Sequence, residues 1–166
     1  MSPFGAWLLV AEQLHYITNR EEIFDFSNKK CRIYAACSVS QTPIGFYNKN
    51  KEIVMQVKVK GNTLIIIVNG DLDHHNAEII KSVADVNIME NKIRNVIFDF
   101  KNSSFMDSSG IGVMMGRYKL ISNAGGRACA VNLNPAVERI FQISGLHKVI
   151  EKYDTVEDAL KEFNAE

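Results

Sequence analysis

Two short stretches of this chain carry the side chains best suited to chemistry. Asp107-Ser108-Ser109-Gly110 sets a carboxylate and two hydroxyls immediately ahead of an apolar pattern of helical period. Such residues cap helices. A serine there is also a good place for a phosphate, because a helix N-terminus presents unsatisfied N–H groups and a partial positive charge. Capping and phosphorylation are compatible, and spacing alone leaves Ser108 and Ser109 as rival acceptors. The second stretch is Asp71, Asp73, His74 and His75. Carboxylates beside imidazoles are what a metal site or a metal-dependent phosphoesterase uses. No other cluster completes a ligand set, so a polar turn capping the next helix, with Asp73 as N-cap, is the simpler reading.

Other candidates are weaker. Gly110, Gly112 and Gly116 match neither G-x-G-x-x-G nor GK[ST], so they read as close packing of a helix on a sheet. No nucleotide or other cofactor is expected. Arg117 and Lys119 read as a solvated face, with Arg117 a candidate partner contact. Phe105 reads as core. Met106 stands between core and a soft, exposed contact for a partner. No Ser-His-Asp or Cys-His arrangement is supported, so the chain does not read as an enzyme.

The 166 residues suffice for one domain with a proper core. Lysine plus arginine and aspartate plus glutamate number 19 each, for a net charge of zero. A nucleic-acid partner would call for a basic surplus or stripe, and none is present. No apolar run approaches the ~20 residues of a membrane span, and the N-terminus lacks a basic region followed by a long apolar one. No membrane association and a cytoplasmic location are the expectation. Cys31, Cys37 and Cys129 form no CxxC pair and support neither a disulfide framework nor a zinc site.

The elements that must position these residues become legible from Ile53 onward. Met55, Val57 and Val59 alternate with Gln56, Lys58 and Lys60, as in a half-buried strand. Gly61-Asn62 is a turn, and Thr63–Val68 is a β-branched run fit for a central strand. Asn76–Met89 repeats apolar residues at helical spacing. Asn95–Phe100 is a strand, Ser108–Ile121 a helix ended by Gly125-Gly126, and Ala128–Leu133 a strand. Asn134-Pro135 opens a helix, with Asn as cap and Pro at its first position. Val149–Tyr153 is a short strand, and Thr155–Phe163 a helix capped by Thr155. Alternating strands and helices predict an α/β domain: a mixed sheet of four to five strands with about four helices against it.

Three segments carry a family resemblance. They are Gly70–Glu78, Ser104–Lys119 with its central Asp107-Ser108-Ser109-Gly110, and Asn134–Leu146. In content, order and spacing they resemble the STAS domain, and more narrowly the bacterial anti-sigma factor antagonists of the sporulation type. The resemblance covers roughly Ile53 to Phe163, and the domain it implies spans 53–166. It implies a regulator that binds an anti-sigma factor which is also a serine kinase, and so frees a sigma factor. It further implies that phosphorylation of Ser108 releases the partner and that a serine phosphatase restores the antagonist. The choice of Ser108 over Ser109 rests on this resemblance alone. Asp71, Asp73, His74, Met106, Asp107, Ser109, Gly110 and Arg117 are the expected partner-binding residues. The competing readings are a STAS module of another signalling assembly and a small metal-dependent phosphoesterase built on the 71–75 turn.

Residues 1–52 have no counterpart in that family and show no clear periodicity. A short helix over Phe4–Ile17 and a strand over Cys31–Cys37 are the weak local signals. Three origins compete: an extra segment packed on the domain, a disordered arm, or translation from a start placed too far upstream. The aromatic content opposes the second. The third draws on Met55, where the family's chains begin, and on Lys51-Glu52, which a purine-rich ribosome-binding sequence would encode.

Overall fold

The structure, a computed structural model, describes residues 44–47, 53–90 and 93–165. The helix and strand expected over Phe4–Ile17 and Cys31–Cys37 lie outside them. The described strands are β1 (Ile44–Tyr47), β2 (Ile53–Lys60), β3 (Thr63–Asn69), β4 (Asn95–Asn102), β5 (Ala128–Val131) and β6 (Glu151–Tyr153). The helices are α1 (His74–Glu90), α2 (Ser108–Asn123), α3 (Pro135–Ile143) and α4 (Val156–Asn164). One sheet holds all six strands in chain order. The first two pairings are antiparallel and the next three parallel.

The mixed sheet and its four helices match the expected architecture, with one strand more than expected. The addition is β1, which pairs Ile44 with Val57 and Phe46 with Met55. Four residues of the stretch ahead of Ile53 therefore belong to the sheet.

The β2–β3 hairpin turns on Gly61-Asn62, with Gly61 at φ 62° and Lys60 paired to Thr63. Tight two-residue hairpins need this left-handed conformation. Each parallel pair after it requires a crossover, and consecutive right-handed crossovers put their helices on one face. That face joins Leu64, Ile66 and Val68 of β3 and Phe98 and Phe100 of β4 to Ile80, Met114, Ile121 and Phe141 of α1–α3. Ile65 of β3, Ile97 of β4 and Cys129 and Val131 of β5 face the other way, under Ala159 and Leu160 of α4. Apolar residues on both faces are what central parallel strands require. Each fully buried aliphatic or aromatic side chain contributes about 1.5–3 kcal/mol.

Helix ends follow their local signals. Asn134 accepts from the Ala136 and Val137 N–H groups at 3.0 Å, and Thr155 from Asp158 N–H at 3.2 Å. Helix α2 ends with Gly125 in the left-handed region at φ 74°. Gly126 N–H donates to Ile121 O and Gly125 N–H to Ser122 O, at 2.9 and 3.0 Å. This pair of bonds satisfies two of the last carbonyls of the helix.

Candidate functional site

The loops leaving β3 and β4 run side by side and hold the two chemically interesting stretches together. Their parallel pairing continues past the strands as a bridge between Leu72 and Met106. Leu72 N–H donates to Phe105 O at 2.9 Å, and Asp107 N–H to Leu72 O at 3.2 Å. Side chains add to this. Asn102 Nδ2 donates to Asn69 Oδ1 at 2.8 Å, Ser104 Oγ to Asp71 Oδ1 at 2.6 Å, and Asn76 Nδ2 to Asp71 O at 2.8 Å. Asp73 caps α1 as expected, accepting from Asn76 N–H at 2.9 Å. The turn at 71–74 and the start of α2 thus form one surface.

Asp107 is the N-cap of α2, in extended conformation. Its Oδ1 accepts from Ser109 N–H at 2.7 Å and from Gly110 N–H at 3.3 Å. This changes the physics expected for a phosphate. The helix donors that would cradle an anion are already held by a carboxylate. Ser108, the first residue of α2, is exposed, whereas Ser109 is half-buried. Ser109 Oγ lies 3.4 Å from Nδ1 of His74, the exposed first residue of α1.

Asp71, Asp73, His74 and His75 are all exposed around this surface. Three expected surface contacts are instead interior. Met106 is fully buried, because the bridge to Leu72 turns its side chain into the core between β4 and α2. Phe105, expected in the core, is its outward neighbour and is 47 % exposed. Gly110 is also buried, and a Cβ there would lie 2.6 Å from Met106 and 2.8 Å from Leu72. Its burial is that of a close-packed position, as expected of it. The same packing argument fails for Gly112 and Gly116, where a Cβ would meet nothing within 4 Å.

Arg117 is the third. It is only 5 % exposed and pairs with Asp85 of α1 through Nε at 2.9 Å and Nη2 at 3.1 Å. Only Nη2 makes a hydrogen bond to Asp85, while Nε and Asp85 Oδ1 lie in ion-pair contact without hydrogen-bond geometry, so Arg117 joins two helices instead of facing solvent. Between those helices runs a cleft, with His74, Glu78 and Lys81 along one wall and Ser109, Gly112 and Gly116 along the other.

Among the described residues, no group of three or more His, Cys, Asp or Glu side chains is placed to hold a metal ion. The 71–75 turn therefore brings no ligand set to a phosphoesterase reading. Nor is any described helix long and apolar enough to cross a membrane.

Comparison with known proteins agrees with this geometry. The profile of the STAS domain matches residues 54–159. An anti-sigma F factor antagonist of Paenibacillus polymyxa is 40% identical over 99 residues, covering 60% of this chain and 85% of the relative. The solved structure of the anti-sigma factor antagonist SpoIIAA in its unphosphorylated form superposes with a TM-score of 0.62 at 33% identity, over 68% of this chain and 97% of that one. The phosphorylated form of the Bacillus cell fate determinant SpoIIAA superposes at 0.55, also at 33% identity, over 65% of this chain and 97% of that one. The chain belongs to the STAS domain family.

Proposed function

We propose that this protein is an anti-sigma factor antagonist whose binding is switched off by phosphorylation of Ser108. The anti-sigma factor partner is itself the serine kinase, its capture frees a sigma factor, and a serine phosphatase reverses the modification. The observation that carries this reading is an exposed Ser108 beside the Asp107 carboxylate, in a chain 40% identical over 99 residues to an anti-sigma F factor antagonist. Asp71, Asp73, His74, Asp107 and Ser109 surround it as the docking surface, with Phe105 as an exposed aromatic at its edge.

Electrostatics supplies the mechanism. A phosphoryl group adds about −1.5 to −2 charges. Because Asp107 already holds the Ser109 and Gly110 N–H groups, the new charge sits beside a like charge without those donors. A partner surface that buried a neutral serine would have to desolvate a dianion instead. Binding is lost locally, with the fold unchanged.

The test is incubation with the anti-sigma F factor of Paenibacillus polymyxa and ATP, followed by phosphosite mapping. Label at Ser108, with loss of the complex, is the expected result. Label at Ser109 instead, or on neither serine while the Paenibacillus antagonist is modified, would overturn the proposal.

A further inference from the structure

We infer that His74 decides which of the two adjacent serines takes the phosphate. This rests on the phosphorylation switch proposed above and adds a residue that sets its specificity.

Ser108 and Ser109 have the same chemistry, and both lie in the first turn of α2. Successive helical residues point about 100° apart, so the two hydroxyls face different surroundings. Ser108 faces solvent. Ser109 is half-buried and forms part of the wall of the α1–α2 cleft, opposite His74. Its Oγ is 3.4 Å from His74 Nδ1. With Nδ1 unprotonated the ring accepts the hydroxyl proton; with Nδ1 protonated it donates to Oγ. Either way the imidazole is within hydrogen-bond reach of the Ser109 hydroxyl. Its own N–H is held by Asp107 at 2.7 Å, which fixes the first turn around it.

Phosphoryl transfer requires the opposite. The serine oxygen must align with the γ-phosphorus of a nucleoside triphosphate. The Oγ–P bond forms, the bond from that phosphorus to its bridging oxygen breaks, and the nucleoside diphosphate departs. The hydroxyl proton passes to a base of the kinase. An oxygen held by the ring of a neighbouring helix must be released before it can align this way, and misplacement by about 1 Å costs about a hundredfold in rate. His74 is therefore a positioning residue that removes Ser109 from competition, not a group that touches the nucleotide.

The experiment compares the unmodified protein, His74→Ala and His74→Asn with the Paenibacillus polymyxa anti-sigma F factor and ATP. The readout is the ratio of label at Ser109 to label at Ser108 within each variant, which is insensitive to weaker docking. The ratio is expected to rise about tenfold or more in His74→Ala. It should stay low in His74→Asn, whose amide reaches the place of Nδ1. An unchanged ratio in His74→Ala would overturn the inference while leaving the Ser108 switch standing. Label on neither serine of the unmodified protein, while the Paenibacillus antagonist is modified, would overturn the switch itself. A second measurement needs no kinase: Ser109→Ala should move the His74 Nδ1 nitrogen resonance, and Ser108→Ala should not. A resonance indifferent to Ser109→Ala would remove the contact on which the inference stands.

Discussion

At the end of the sheet that carries Ser108 the chain is fastened by exposed polar side chains, carboxylate caps and backbone bonds, whereas its β5–β6 edge is fastened around one arginine and by close burial. Around Ser108 the ties are Asn69 to Asn102, the Ser104 hydroxyl to Asp71, and backbone bonds between the two loops. At the β5–β6 edge Arg127 donates to Glu151 at 2.6 Å and to Tyr153 at 3.2 Å, and lies 5.1 Å from the ring centre of Phe163 in α4. Beneath α4, Cys129 is fully buried. A region built in the first way can accept new charge without losing its fold. A region built in the second way cannot.

The largest expected effect concerns binding. Ser108→Asp should weaken capture of the Paenibacillus polymyxa anti-sigma F factor by about a hundredfold, or about 3 kcal/mol. Its unfolding free energy should stay within about 0.5 kcal/mol of the unmodified protein, as for other exposed sites. Calorimetric titration and urea unfolding read the two quantities. A large loss of stability would erase the distinction between the regions.

Arg117→Ala probes a charge near the site that is buried. Removing one partner of a buried ion pair costs about 3–5 kcal/mol. The Asp85 side chain is 27% exposed, which screens the charge left behind and lowers the expected loss to about 2–3 kcal/mol. Urea unfolding measures it. A loss below about 0.5 kcal/mol would mean that the pair does not join α1 to α2.

The third prediction places charge in the other region by pH. Burial, assisted by Glu151 and opposed by Arg127, pushes the Cys129 thiol up from its ordinary 9.0 to about 12. Between those values the unfolded chain loses the thiol proton and the folded chain keeps it. The folded state then binds more protons, so stability falls as pH rises through that window. A loss of about 1 kcal/mol is expected between about pH 8 and pH 10. Cys129→Ala should flatten this part of the profile. The Tyr153 hydroxyl, pushed up from 10.0 to about 12 by burial and its bond to Glu151, adds to the decline mainly above pH 10. An equally steep profile in Cys129→Ala would refute the assignment.

The smallest effect returns to the cleft. Gly116→Ala adds a Cβ that meets nothing within 4 Å and removes a helix-interior glycine. It should stabilise the protein by about 0.5–1 kcal/mol, read from the urea midpoint. A loss of stability would show that the cleft is filled more tightly than its geometry allows.

Much of this was legible in sequence because it was local. Alternation marks β2, helical spacing marks α1 and α2, and Asp73, Asn134 and Thr155 announce helix starts within three residues of the bonds they make. What stayed hidden depends on distant neighbours. Arg117 reads as a surface cation until α1 brings Asp85, 32 positions away, against it. The exchanged roles of Phe105 and Met106 did leave a signal: Phe98, Phe100 and Met106 share one parity and one core. Continuing the β4 alternation through the loop would have turned Met106 inward and Phe105 out. Strand β1 had no periodic pattern to reveal it, since its only described support is pairing with β2. The choice between Ser108 and Ser109 was likewise open, because nothing within the tetrapeptide says that a histidine from another helix stands beside one of them.

The Asp107 cap has a consequence for reversibility. A helix end with vacant donors would grip a phosphoryl group, slow its removal and turn a signal into a lasting mark. Here the carboxylate occupies Ser109 and Gly110 N–H groups in advance. A phosphoryl group on Ser108 would project into water with its oxygens available to an eraser. The same residue that steadies the helix would thus keep the memory of the signal short.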